Sequence, residues 1–257
     1  MCRVRTQTPE ADPRASLHRR LVAELVGTGL LVSVVVGSGT AAARLSDDTG
    51  LQLLENSIAT VLGLAVLIVA LGPVSGAHFN PVVSLADWWF GRGGTAGLPL
   101  REVATYAAAQ CVGAIAGAML ANAMFGVDAA LATTRRGGAG LLLAEMVATA
   151  GLVAVIFALQ RSGRSALAAP AVAAWIGAAY WFTSSTSFAN PAVTIGRVFS
   201  DTFAGIAPQS VTPFVTAQII GGLLGVVVVG YLYPTTGTTG AARSELVAQR
   251  TTAGVTP

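Results

Sequence analysis

Six long apolar stretches govern what this chain can fold into: 21–43, 57–74, 103–121, 139–160, 165–184 and 211–233. A hydrocarbon core about 30 Å thick is crossed by about 20 residues of helix, and each stretch approaches or exceeds that length. Glu24 and Glu145 are the only charged residues within them. A backbone in lipid has no water to satisfy its N–H and C=O groups, so it must bond to itself as a helix or a closed barrel. Continuous apolar runs of this length predict helices. The expected fold class is therefore an all-α membrane protein with six transmembrane helices.

Composition excludes the rival classes. Hydrophobic residues make up 53% of the 257 and charged residues 11%, with a mean hydropathy of +0.68. A soluble domain carries about 25% charge, so this chain has too little to cover a water-facing surface. Disorder, coiled coil and collagen are excluded. The net charge of +3 does not make a nucleic-acid binder, because all 15 basic residues are Arg scattered between apolar runs. The partner implied is the lipid bilayer. Thirty Gly, set among Ala-rich runs, allow membrane helices to approach closely. Cys2 lies in the polar N-terminus and Cys111 in an apolar run, which implies no disulfide. The first twenty residues are polar and Arg-rich, unlike a cleavable signal.

Arginine also sets orientation, since cytoplasmic loops retain the excess of positive charge. With the N-terminus inside, the inner side holds Arg3, Arg5, Arg14, Arg19, Arg20, Arg92, Arg101, Arg161, Arg164, Arg243 and Arg250. The outer side holds Arg44, Arg135, Arg136 and Arg197. Both termini are expected in the cytoplasm, as polar tails over 1–20 and 235–257 flanking a membrane domain over 21–234.

The domain repeats itself. Ala23-Glu24-Leu25-Val26 returns as Ala144-Glu145-Met146-Val147, Phe79-Asn80-Pro81 returns as Phe188-Ala189-Asn190-Pro191, and Gln110-Cys111-Val112-Gly113 returns as Gln218-Ile219-Ile220-Gly221. The last pair opens two G-x-x-x-G motifs, Gly113/Gly117 and Gly221/Gly225. Three blocks in the same order mark a duplication, about 21–121 and 139–234. Each half has three spans, and an odd number inserts the second half upside down. Inverted repeats place a solute pathway near the midplane between the halves.

Between spans two and three, and between spans five and six, lie short apolar segments around Asn80-Pro81-Val82 and Asn190-Pro191-Ala192. Asn suits a helix N-cap and Pro the first helical position. These segments are expected to be half-length helices entering from opposite faces, with their N-termini meeting at the midplane. Two positive dipole ends would disfavour cations and hydronium there. Each Asn oxygen would cap its own helix and leave the NH₂ group pointing into the gap as a donor. Such a site passes neutral polar solutes and excludes protons. Glu24 and Glu145 would each accept the unpaired N–H groups of a re-entrant loop; the alternative is a proton relay.

These motifs resemble the major intrinsic protein family, the aquaporins and aquaglyceroporins. Ala-Glu-x-x-Gly-Thr at 23–28, Ser-Gly-Ala-His-Phe-Asn-Pro at 75–81 and Asn-Pro-Ala at 190–192 carry the resemblance. It implies an hourglass channel in each protomer, a homotetramer in the plasma membrane, and passive flow of water or small uncharged solutes. Val82 stands where the family has Ala, and His78 matches a pore-lining His. The family's filter Arg falls on Val193; the other filter positions fall on Thr60, Ser187 and Ala178, or Gly177 if the spacing is off by one. Small residues there imply a wide filter suited to glycerol-sized solutes or neutral metalloid hydroxides such as arsenous acid. In this the chain is similar to bacterial members associated with arsenic resistance.

Arg197 lies one turn beyond Val193 and is either a vestibule cation or a helix-end residue bonded to loop carbonyls or Asp201. Arg135 and Arg136 read as headgroup anchors. Trp88-Trp89 and Tyr180-Trp181 read as interfacial or packing aromatics, and Cys111 as helix packing. No metal cluster, phosphate loop or nucleophile–base pair is visible, so no cofactor and no enzyme chemistry is expected. The rival to a channel is a proton-coupled transporter using Glu24 or Glu145, followed by a structural junction protein.

Overall fold

The computed structural model describes residues 15–92 and 97–234. Among the described residues eight α-helices follow one another: α1 (Leu17–Leu45), α2 (Thr49–Ser75), α3 (Pro81–Gly91), α4 (Leu100–Phe125), α5 (Ala139–Arg161), α6 (Ala168–Phe182), α7 (Pro191–Gly196) and α8 (Pro208–Leu232). A 3₁₀ turn precedes α6 at Ser165–Leu167, and another extends α7 at Arg197–Phe199. No strand occurs among the described residues. Six helices, α6 counted with its 3₁₀ turn, are long and apolar enough to cross a membrane. They alternate in direction, so the start of α1 and the end of α8 share one face, called here the terminal face.

Several helices overrun the apolar runs that reveal them. Helix α2 begins at Thr49 rather than 57, because Asp48 caps it by accepting the Leu51 N–H at 2.8 Å. Its first two turns carry Gln52, Glu55 and Asn56, which an apolar count passes over. Helix α1 begins at Leu17, inside the stretch read as a tail. Residues 1–14 and 235–257, Cys2 among them, lie outside the described residues.

The two halves are built on matched helix pairs. Helix α1 crosses α4 where a β-carbon on Gly113 or Gly117 would collide with the carbonyls of Leu25 and Gly29. Helix α5 crosses α8 where one on Gly221 or Gly225 would collide with those of Met146 and Ala150. Ser33 also donates to the Gly117 carbonyl at 2.8 Å. Helices α2 and α6 contact each other and close the bundle. The short helices α3 and α7 fill its centre: α3 packs on α4 and α8, and α7 on α4.

Candidate functional site

The short helices meet N-terminus to N-terminus. Asn80 caps α3 by accepting the Val82 N–H at 2.9 Å. Asn190 caps α7 by accepting the N–H groups of Ala192 at 2.9 Å and Val193 at 3.3 Å. Pro81 and Pro191 hold the first helical positions, where a missing N–H is not felt. Each Asn amide also reaches across the molecule. Asn80 Nδ2 donates to the Ala189 carbonyl at 2.8 Å, and Asn190 Nδ2 to the Phe79 carbonyl at 2.7 Å. The sequence pointed both NH₂ groups wholly into the gap. An amide has two hydrogens, so one from each Asn ties the opposite loop and one is left for the cavity both residues line.

The loops feeding these caps are strained in register. Ala77 and Phe79 have positive φ (50° and 48°), as do Ser187 and Ala189 (52° and 49°), at three and one residues before each Asn. Left-handed backbone is costly for any residue with a β-carbon and persists where its surroundings fix it. Here buried carboxylates do so. Glu24 accepts the N–H groups of His78 at 3.0 Å and Phe79 at 2.7 Å, Ser75 Oγ at 2.6 Å and Gln110 Nε2 at 2.7 Å. Glu145 accepts the N–H groups of Phe188 and Ala189, both at 2.9 Å, and Gln218 Nε2 at 2.6 Å. Charge-assisted bonds of this kind are roughly twice as strong as neutral ones.

A further matched pair escaped the sequence reading. Gln110 Nε2 also donates to Ser84 Oγ at 3.1 Å, and Gln218 Nε2 to Thr194 Oγ1 at 2.9 Å. Both hydroxyls bond back to the capping residue's carbonyl, Asn80 or Asn190. Their common offset of four residues from each Asn was the available signal.

A cavity of about 560 Å³ passes between the halves. Thr60, His78, Asn80, Ser187, Asn190, Val193 and Arg197 all line it. Pro81, Val82, Pro191 and Ala192 do not; Val82 packs with Val153, Phe157 and Val226 against α5 and α8. The change from Ala to Val at position 82 thus falls in helix packing. His78 Nδ1 lies 3.1 Å from Ser84 Oγ, and its ring stands 5.5 Å from that of Tyr106.

Position 178 needs correction. Ala178 is exposed on the outer side of α6, and Gly177 faces Val61 of α2, where a β-carbon would meet the Val61 side chain at 2.5 Å. The α6 residues on the cavity wall are Ala168, Ala169, Val172, Ile176 and Tyr180. Residues 183–189 form an irregular, turn-rich link, so counting back from Asn190 does not preserve helical phase. Tyr180 is buried, with its hydroxyl 3.1 Å from Thr60 Oγ1. It is therefore a wall residue, whereas its neighbour Trp181 is half exposed and donates to Ser57 Oγ at 3.3 Å. The α6 position expected to present a small residue to the cavity is thus replaced on its wall by residues that include an aromatic ring.

Arg197 has the loop-carbonyl contact that one of its expected placements describes. It lines the cavity, and its Nε donates to the Ala204 carbonyl. Its guanidinium lies 3.5 Å from the Phe188 ring centre. Asp201 pairs elsewhere, accepting the N–H and hydroxyl of Thr133. Arg136 is no headgroup anchor: it donates to the carbonyls of Gly205 at 2.9 Å and Phe203 at 3.2 Å, locking the outer loops together. Burial in this site lowers its pKa below the usual arginine value, with the more distant Glu145 opposing the shift.

Comparison with known proteins agrees with this architecture. Residues 13–184 match the family model "Major intrinsic protein". The chain is 48% identical to the aquaglyceroporin AqpS of Rhizobium meliloti, over 84% of this chain and 91% of that protein. It is 31% identical to the glycerol uptake facilitator protein of Pseudomonas aeruginosa, over 84% of this chain and 87% of that protein. The X-ray structure of the aquaglyceroporin from Plasmodium falciparum shares the fold, with a TM-score of 0.63 at 20% identity, covering 86% of this chain and 97% of that one. The chain belongs to the major intrinsic protein family and is a passive membrane channel for water or small neutral solutes, not an enzyme.

Proposed function

We propose that this channel passes uncharged hydroxylic solutes of glycerol size, neutral metalloid hydroxides such as arsenous acid included, through a constriction made by Thr60, Tyr180, Ser187 and Val193. The observation that carries the reading is the make-up of the cavity wall, where Thr60 and Ser187 stand together with Tyr180 and Val193. Tyr180 and Val193 give the wall an apolar side; Thr60, Ser187 and Arg197 give it a polar side. A polyol has the same two-sidedness, carbon on one flank and hydroxyls on the other. With no Arg at 193, the nearest guanidinium is that of Arg197, one helical turn further along the backbone, where it lies 3.5 Å from the Phe188 ring centre.

Protons are excluded at the seam. The N-terminal ends of α3 and α7 face one another there, and their positive ends disfavour hydronium. The amide hydrogens left on Asn80 and Asn190 orient a solute by its oxygen. Four donors on Glu24 and three on Glu145 support a scaffold role for both carboxylates rather than a proton relay.

The channel works as a homotetramer in the plasma membrane with both termini in the cytoplasm. Among the described residues, Arg19, Arg20, Arg92, Arg101, Arg161 and Arg164 fall on the terminal face by connectivity and Arg44, Arg135, Arg136 and Arg197 on the other, which supports that orientation. Leu62 and Val66 of α2 and Val227 of α8 are exposed and lie off the cavity wall, supporting contact with lipid or neighbouring protomers.

The test is Val193→Arg in proteoliposomes, followed by light scattering under glycerol, arsenous acid and water gradients. The arginine narrows the ring and fills its polar side. The glycerol-to-water and arsenous acid-to-water flux ratios should each fall about tenfold, equivalent to about 1.4 kcal/mol of barrier. Unchanged ratios would sink the reading.

A further inference from the structure

Counting forward from the two capping asparagines reveals matched wall positions of opposite charge. Asn80, Val83 and Asp87 lie at i, i+3 and i+7 on α3. Asn190, Val193 and Arg197 lie at the same offsets on α7 and the turn that extends it. All six line the cavity, as that spacing requires, since it places three residues on one helical face. The seventh position is thus a carboxylate in one half and a guanidinium in the other. Seven helical residues rise about 10 Å, so Asp87 stands near the mouth on the terminal face and Arg197 near the opposite mouth.

Neither charge has an ion-pair partner among the described residues, where the one ion pair joins Arg20 to Glu102. Asp87 Oδ2 accepts the Leu98 N–H at 2.7 Å, and Arg197 donates to the Ala204 carbonyl. These bonds fix both side chains without cancelling their charges. The helix dipole accounts for Arg197, because a cation is favoured at the C-terminal end of α7. It does not account for Asp87, which lies towards the partially negative C-terminal end of α3. Holding the Leu98 N–H does not require a charge either, since an Asn oxygen would accept the same bond.

The conduit itself supplies a reason. Its midplane carries two positive helix ends and one mouth carries Arg197, an arrangement that repels cations and attracts anions. Glu24 and Glu145 do not correct this bias at the wall, being fully buried behind the loops and absent from the cavity lining.

We propose that Asp87 is a specificity residue of the channel: a fixed negative charge at the mouth on the terminal face that turns back the small anions the rest of the conduit would admit. The assignment rests on the channel reading above. It divides ion exclusion between two mouths, cations at one and anions at the other.

The test uses full-length protein in proteoliposomes, with iodide entry read by an entrapped halide-quenched dye and the potential clamped by potassium and valinomycin. Glycerol swelling is recorded on the same vesicles, and the readout is the iodide-to-glycerol flux ratio. Removing one charge from a narrow, partly desolvated mouth should raise that ratio at least about fivefold in Asp87→Asn. Asp87→Glu, which keeps the charge, should retain the wild-type ratio. Arg197→Gln, which loosens the opposite mouth while removing a positive charge, should not raise it. An unmoved ratio in Asp87→Asn overturns the proposal, as does an equal rise in Asp87→Glu or Arg197→Gln, which would mark general loosening. Wild-type vesicles that fail to swell in glycerol would overturn the channel reading itself, and this proposal with it.

Discussion

At Glu145, one carboxylate meets three donors that a hydrocarbon slab would otherwise leave unpaired. Glu145→Gln replaces an acceptor oxygen with an NH₂ group facing those donors. The loss should be about 1–3 kcal/mol, read as a lower melting temperature of the purified protein in detergent. A normal melt together with lost flux would point instead to proton transfer. The role of this residue was legible because a charge inside an apolar run needs a reason. Tyr180 was not legible. Its place on the wall depends on the phase of α6, and the turns between Phe182 and Asn190 erase that phase for anyone counting from the Asn-Pro motif. Ser84, Thr194 and Asp87 were overlooked for a different cause: each is an ordinary polar residue until the capping Asn is used as an origin. The partner of each Asn amide was hidden as well, since it is a backbone carbonyl of the other half and has no side-chain signature.

The helices divide into those that stand by composition and those that stand by context. The six spans announce themselves by hydropathy. At 11 and 6 residues, α3 and α7 are shorter than the ~12–15 residues at which an isolated helix becomes even marginal. They exist because Asn80 and Asn190 cap them and α4 and α8 enclose them. Their start points were readable from Asn-Pro, but their different lengths were not, because each ends where its surroundings do. The G-x-x-x-G motifs make the sharpest claim at this scale. Gly117→Leu forces α1 and α4 apart at a backbone contact and should cost at least about 1–3 kcal/mol, read as a lower melting temperature and a poorer yield of folded protein. Gly230→Leu lies on α8 with open space around it and should leave both measures unchanged.

For the molecule as a whole, the proposed orientation rests on the even number of spans and the skewed placement of Arg. In a background with Cys2 and Cys111 replaced by Ser, a membrane-impermeant maleimide should label Asp47→Cys in intact cells. It should label Ser162→Cys only after the membrane is opened. The reverse pattern would invert the assigned orientation. The inverted repeat was legible from three short sequence blocks because duplication preserved the residues that bear on backbone: the caps, the carboxylates and the glycines. The crossed amide bonds, Asn80 to Ala189 and Asn190 to Phe79, carry that symmetry to a physical end. They stitch the two halves together at the one level where a transporter would have to open and close them in turn. A stitched seam has no cycle to couple to fuel. Net movement through this protein is set by whatever chemistry consumes or supplies the solute on either side, and the direction of flow belongs to the cell's metabolism rather than to the protein.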